Sequence, residues 1–161
     1  MDPRAEHLIA ELQLAPHPEG GFYREFFRSA VDVTPADGRG TRSGLTAIHF
    51  LLPQGTASRW HVVRSDEQWT FLEGTPLALV TIDPVADTTR VATLGRAAEG
   101  GNPTTVVPAG HWQAARADGA YSLVTCTVGP GFDFADFRLL ADDPEACERL
   151  RRDWPHHADL L

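Results

Sequence analysis

The chain has 161 residues, 42% of them hydrophobic, and a formal net charge of −8, which fits one globular domain over residues 1–161 with its own core. All 14 basic residues are arginine, which removes lysine Schiff-base chemistry, a pyridoxal-phosphate lysine and the lysine of a P-loop. With 22 acidic residues against those 14, the chain is not expected to bind nucleic acid or an anionic membrane surface.

Apolar residues at Ala5, Leu8, Ile9, Leu12 and Leu14 follow helical spacing and predict a helix over Pro3–Leu14. Asp2 is its N-cap, with Pro3 at the first helical position. The prolines of Ala15-Pro-His-Pro18 end it. After Gly20-Gly21 the texture becomes short β-type runs at Phe22–Ser29, Leu45–Leu52, Thr56–Trp60, Gln68–Leu72 and Leu77–Ile82. Further runs follow at Thr89–Leu94, Thr104–Val107, Trp112–Arg116, Tyr121–Thr127 and Phe137–Leu140. Turn residues such as Pro53-Gln-Gly55 and Ala117-Asp-Gly119 separate them, the pattern of an all-β sandwich or barrel. Val31–Arg42, rich in Gly, Asp and Arg, is read as a flexible loop. A second helix is expected from Asp143 or Pro144 to about Asp153. The N-terminus lacks a basic start and a long apolar stretch, and no apolar run approaches the roughly 18–20 residues of a membrane span, so a cytoplasmic location is expected. Cys126 and Cys147 are too few and too far apart for a disulfide framework, and Cys126 reads as a buried small hydrophobe.

The densest polar cluster runs from Gly55 to Gly74 and contains His61, Val63 and Glu67 in the spacing G-x5-H-x-V-x3-E-x6-G. It resembles the first motif of the cupin superfamily. Pro108-Ala-Gly-His-Trp-Gln113 resembles the second, with Gln113 at the usual histidine position. The blocks Pro18-Glu-Gly-Gly-Phe-Tyr-Arg-Glu25, Ser65-Asp-Glu-Gln-Trp69 and Gly129-Pro-Gly-Phe-Asp-Phe-Ala-Asp-Phe137 are similar to those of a small, largely uncharacterised subfamily of single-domain cupins. The resemblance implies an all-β double-stranded β-helix (jelly-roll) with short N- and C-terminal helices, and a homodimer. Apolar runs on both strand faces, as in Leu77–Ile82, agree with a second copy or the helices covering an outer face. The resemblance implies no settled reaction.

Alternate strand residues face one way, so His61 and position 63 share a side. Metal cupins carry histidine at both. Here His61, Glu67 and Gln113 are the candidate ligands for a divalent ion such as Zn, Ni or Fe, weakened by Val63 and by Gln113 itself. The competing reading is acid–base chemistry, epimerase-, isomerase- or lyase-like, on a small carbohydrate-like or carbonyl-bearing metabolite. In it Glu67 and His61 form the pair, with Tyr121 and His49 as further catalytic candidates. Gln113, Tyr23, Arg24, Trp69 and Trp60 are the candidate ligand-binding residues. Each has a plainer reading: the tryptophans as core, His49 as a satisfied buried imidazole, Glu19-Gly-Gly21 as a structural turn. A non-catalytic small-molecule binder is the alternative to the enzyme.

Overall fold

The structure, a computed structural model, describes residues 1–161. Helix α1 (Pro3–Glu11) is capped by Asp2, whose carboxylate accepts from the N–H groups of Arg4 and Ala5 at 2.9 and 3.2 Å. It stops at Glu11 rather than Leu14 because Gln13 turns into the left-handed region at φ 54°. The strands are β1 (Ala15–Pro16), β2 (Phe22–Arg28), β3 (Asp32–Val33), β4 (Arg42–Ser43), β5 (Thr46–Pro53), β6 (Ala57–Val63) and β7 (Asp66–Gly74). They continue with β8 (Leu77–Asp83), β9 (Thr88–Leu94), β10 (Thr104–Val107), β11 (Trp112–Ala117), β12 (Tyr121–Gly129) and β13 (Phe137–Leu139). Helix α2 (Pro144–Asp153), capped by Asp143, and a final 3-10 segment (Pro155–Leu160) close the chain.

Two antiparallel sheets form the jelly-roll: one ordered β1-β2-β5-β12-β7-β10, the other β13-β6-β11-β8-β9. Between them lie Phe50, Leu52, Trp69, Phe71, Leu79 and Val124, all buried. The two helices explain much of the two-sided hydrophobicity. α1 lays Ala5 and Leu8 on Leu51 and Leu123, on the outer side of the first sheet. α2 and the C-terminal turn lay Cys147, Leu150 and Leu160 on Trp60, Val80 and Ile82 of the second. Each such fully buried side chain contributes about 1.5–3 kcal/mol relative to exposure. No helix is long and apolar enough to cross a membrane.

The Val31–Arg42 segment departs from the expected flexible loop. Asp32–Val33 pairs with Arg42–Ser43 as the β3–β4 hairpin. Arg39 and Arg42 reach from it to the buried Asp136, with Arg42 Nε at 2.8 Å and Arg39 Nη1 at 3.3 Å from the carboxylate. Ion pairing between segments far apart in sequence holds it, which composition alone does not show.

Two β-bulges shape the space between the sheets. Gln113 pairs with His61 while Ala115 pairs with Ser58, so β6 carries one residue more than β11 there. The extra residue lets Ser58 and His61, three apart, turn to the same interior side while Trp60 turns out. In β2 the register slips between Glu25 and Phe27, opposite Ile48 and Ala47. Glu25 and Arg28 thereby also share the interior side.

Candidate functional site

One end of the jelly-roll interior is packed solid by Trp69 and its neighbours. The other opens into a cavity of about 480 Å³, within the range of small-molecule sites. Its floor carries His17, Glu19, His61, Glu67 and Cys126. Its apolar wall is built from Tyr23, Phe50, Phe132, Phe134 and Phe137, and Glu25, Arg28 and Asp133 also border it. Phe132, Phe134 and Phe137 contact one another edge-on, at centroid distances of 5.0 to 6.1 Å.

Glu19 enters the floor from the turn before β2. Gly20 has φ 115°, and a Cβ there would lie 2.1 Å from the carbonyl oxygen of Ala57, so only glycine lets the turn press against β6. The backbone of Arg59 donates to Glu19 O at 2.9 Å, and Arg59 Nη2 to Pro18 O at 2.7 Å. Glu19 is buried, and its Oε1 accepts from the Ser58 hydroxyl at 2.7 Å. Its Oε2 lies 3.4 Å from His61 Nε2 and 3.4 Å from His17 Nδ1.

The hydrogen bonds around the two imidazoles fix their protons. His61 Nδ1 faces the carbonyl oxygen of Arg59 at 2.8 Å; a carbonyl only accepts, so Nδ1 carries the hydrogen, and in the neutral ring Nε2 keeps its lone pair. His17 Nδ1 accepts the backbone N–H of Glu19 at 3.3 Å, so its lone pair is engaged there. The free lone pair of His61 Nε2 therefore faces the carboxyl oxygen. A proton on that oxygen turns the repulsion into attraction. Burial acts in the same direction, pushing Glu19 up to about 8, against the hydrogen bond from Ser58 and the charge of Arg59. It lowers His17 to about 4, with the charge of His61 a lesser cause. His61 is lowered as well, chiefly by burial, against the charge of Glu67 and the bond to Arg59 O. Between the ordinary imidazole value of 6.5 and about 8 the carboxyl is the protonated partner and both imidazoles are neutral, the reverse of their order in water.

Glu67 is held from the opposite side. Trp69 Nε1–H donates to Gln113 Oε1 at 3.0 Å, and an indole N–H can only donate, so the Gln113 oxygen must face it. That turns Gln113 Nε2 toward Glu67, to which it donates. Burial raises Glu67, while His61 and the bonds from Gln113 and Cys126 oppose the rise. The Cys126 thiol is pushed well above its usual range, first by burial and then by the neighbouring carboxyls, which makes it a poor nucleophile.

His61, Glu67 and Gln113 thus come together as the motif spacing predicts, and Tyr23 lines the cavity. The donors do not suit a metal ion. Val63 offers none, and the one ligating oxygen of Gln113 is taken by Trp69. No group of three or more His, Cys, Asp or Glu side chains is arranged to hold a metal.

Four other candidates lie elsewhere. On β5, Thr46, Ile48 and Phe50 face the cavity, so strand alternation turns His49 outward, where it stacks on Phe26 at 4.4 Å. Arg24, between the inward Tyr23 and Glu25, likewise points out and donates to Leu12 O at 3.3 Å. Tyr121 opens β12, whose other end carries the cavity residues Cys126 and Val128, and its hydroxyl donates to Glu73 at 2.7 Å. Trp60 faces the C-terminal segment, donating from Nε1 to His157 O at 2.8 Å. Trp69 is core and acts on the site through Gln113. Glu19 was legible in sequence only as part of a glycine turn, and His17 only as a residue between prolines. The usable signal was a glutamate directly before two glycines at the entrance to a strand.

Residues 6–140 match the model of a family described as Cupin superfamily (DUF985). A hypothetical protein from Leishmania major is 36% identical, aligned over 98% of this chain and 96% of its own, with a TM-score of 0.81. A protein of known structure from Shewanella oneidensis is 35% identical over 97% of this chain and 93% of its own, also with a TM-score of 0.81. Oxalate decarboxylase from Bacillus subtilis is 15% identical over 91% of this chain and 36% of its own, with a TM-score of 0.58. That likeness is one of fold alone. No curated protein matches the sequence.

Proposed function

Since the chain belongs to the DUF985 family of the cupin superfamily, a premise that fixes the fold and leaves the chemistry to the site, we propose an acid–base enzyme. It acts on a small carbonyl-bearing metabolite by isomerisation, epimerisation or elimination. The supporting observation is the Glu19 carboxyl with one oxygen 3.4 Å from His61 Nε2 and 3.4 Å from His17 Nδ1, at the floor of the cavity. An acid holding its proton and a base free to take one stand side by side.

With a substrate carbonyl over this floor, His61 Nε2 takes the proton from the carbon beside the carbonyl. Glu19 gives its proton to the carbonyl oxygen. A neutral enol forms, leaving His61 as imidazolium and Glu19 as carboxylate. Those two charges lie 3.4 Å apart, where their attraction is about 5 kcal/mol at an effective dielectric near 20. Neither charge is left alone in the apolar interior. His61 returns its proton to the same carbon, to its other face once the enol has turned over, or to the neighbouring carbon, and an enol hydroxyl returns its proton to Glu19, which regenerates both groups. Glu67, when ionised, makes His61 more basic. Gln113 and Trp69 keep it in place.

The test is solvent deuterium uptake by glyceraldehyde, acetoin and 2-hydroxyacetophenone, followed by proton NMR. Wild type should exchange the hydrogen beside the carbonyl. Glu19→Gln and His61→Gln should each lower that rate about 10²–10⁴-fold, the range for a positioned acid–base group. A probe that binds the cavity without exchange would leave a non-catalytic binding protein as the correct reading.

A further inference from the structure

Acidic and basic side chains are distributed unequally around the cavity. Four carboxyl side chains line it, Glu19, Glu25, Glu67 and Asp133, against one guanidinium, that of Arg28. Arg28 is already engaged: it grips Glu25 through Nε and Nη2 at 2.9 and 2.7 Å and donates to Phe132 O at 3.2 Å. The neighbouring guanidiniums are no freer. Arg39 and Arg42 are spent on Asp136, behind the aromatic loop. Arg59 is tied to Pro18 O.

We infer that this cavity selects an uncharged molecule with a flat apolar body and rejects carboxylates and phosphoesters. An anion entering it would find no unpaired cation. To gain a cation it would have to draw Arg28 away from Glu25 at the half-exposed rim. Nucleotide-linked compounds and small dicarboxylic acids are therefore excluded as substrates. The apolar body is specified by Phe132, Phe134 and Phe137, whose rings form a wall beside the acid–base floor. A planar group gains edge-to-face and offset contacts there. The two carboxyls of the floor are already partnered by Ser58 and Gln113, which suits a neutral hydrogen-bonding head rather than an ammonium.

The inference rests on the proposed function only in taking the same cavity as the substrate's place, and its test needs no turnover. Benzamide, benzoate and benzylamine share one ring and differ in charge, and their binding at pH 7 can be measured by ligand-observed NMR. Benzamide should bind at least tenfold more tightly than benzoate. Glu25→Gln, which frees Arg28, should raise benzoate affinity at least fivefold and leave benzamide within twofold. Equal or tighter binding of benzoate by wild type would overturn the inference. So would tighter binding of benzylamine, which would make the floor an ammonium receptor, and so would no binding of any probe at millimolar concentration. If deuterium exchange fails while this order holds, the acid–base reading falls and the selection stands. If exchange succeeds while benzoate wins, the reverse applies.

Discussion

Replacing Glu19 by glutamine distinguishes a protonated acid in the cavity floor from an ionised one. The amide keeps the shape, still accepts from Ser58, and can donate an N–H to the lone pair of His61 Nε2. A carboxyl raised from 4.5 to about 8 by burial binds a proton in the folded state over a range where the unfolded chain has lost it. Stability from this group is therefore complete below pH 4.5, falls as pH rises toward 8, and levels off above it. His17, lowered from 6.5 to about 4, acts oppositely, adding stability as pH rises from 4 to 6.5. Comparing wild type with Glu19→Gln isolates the carboxyl. At 1.36 kcal/mol per unit, the variant should gain about 2 kcal/mol on wild type between pH 6.5 and 8. For 161 residues that is about 4–8 °C in Tm. Urea and thermal unfolding of both proteins at the two pH values read it directly. If the variant is instead less stable by several kcal/mol, and no less so at the higher pH, Glu19 is a carboxylate paired with an imidazolium and the proton assignment is wrong.

Val63→His with Gln113→His restores two imidazoles at inward positions beside His61, and elemental analysis should find one Zn or Ni per chain in that variant and far less in wild type; equal metal in both would show that the native donors suffice. Asp136→Asn should cost about 3 kcal/mol in urea unfolding, because Arg39 and Arg42 lose the charge that both grip; a loss under 1 kcal/mol would mean that solvent replaces the clamp. The first sheet leaves Phe26, Phe27, Leu72 and Val106 exposed on its outer side, and we propose that this face joins two copies. Sedimentation should give twice 17.6 kDa, and Phe26→Asp should shift it to monomer; a wild-type monomer at micromolar concentration would refute the interface.

Sequence alone determined the parts that depend on neighbours along the chain. Alternation and turn residues placed most of the strands within one to three residues, and Asp2-Pro3 and Asp143-Pro144 marked both helix starts. The motif spacing marked His61, Glu67 and Gln113, which meet between the two sheets, Gln113 beside His61 on β11 and Glu67 from β7 opposite. Only the tertiary structure could decide the rest. The bulges in β6 and β2 reverse the alternation that points side chains in or out, and they exist only in pairing with β11 and β5. Which face of β2 and β5 looks inward, and so leaves His49 and Arg24 outside the cavity, is set by how the two sheets stack. His17 and Glu19 reach the floor because a turn remote in sequence packs on β6 through Gly20. The identity of the acid was equally hidden. The Glu19 carboxyl holds its proton because burial disfavours its charge, and that burial is produced by folding rather than by local sequence.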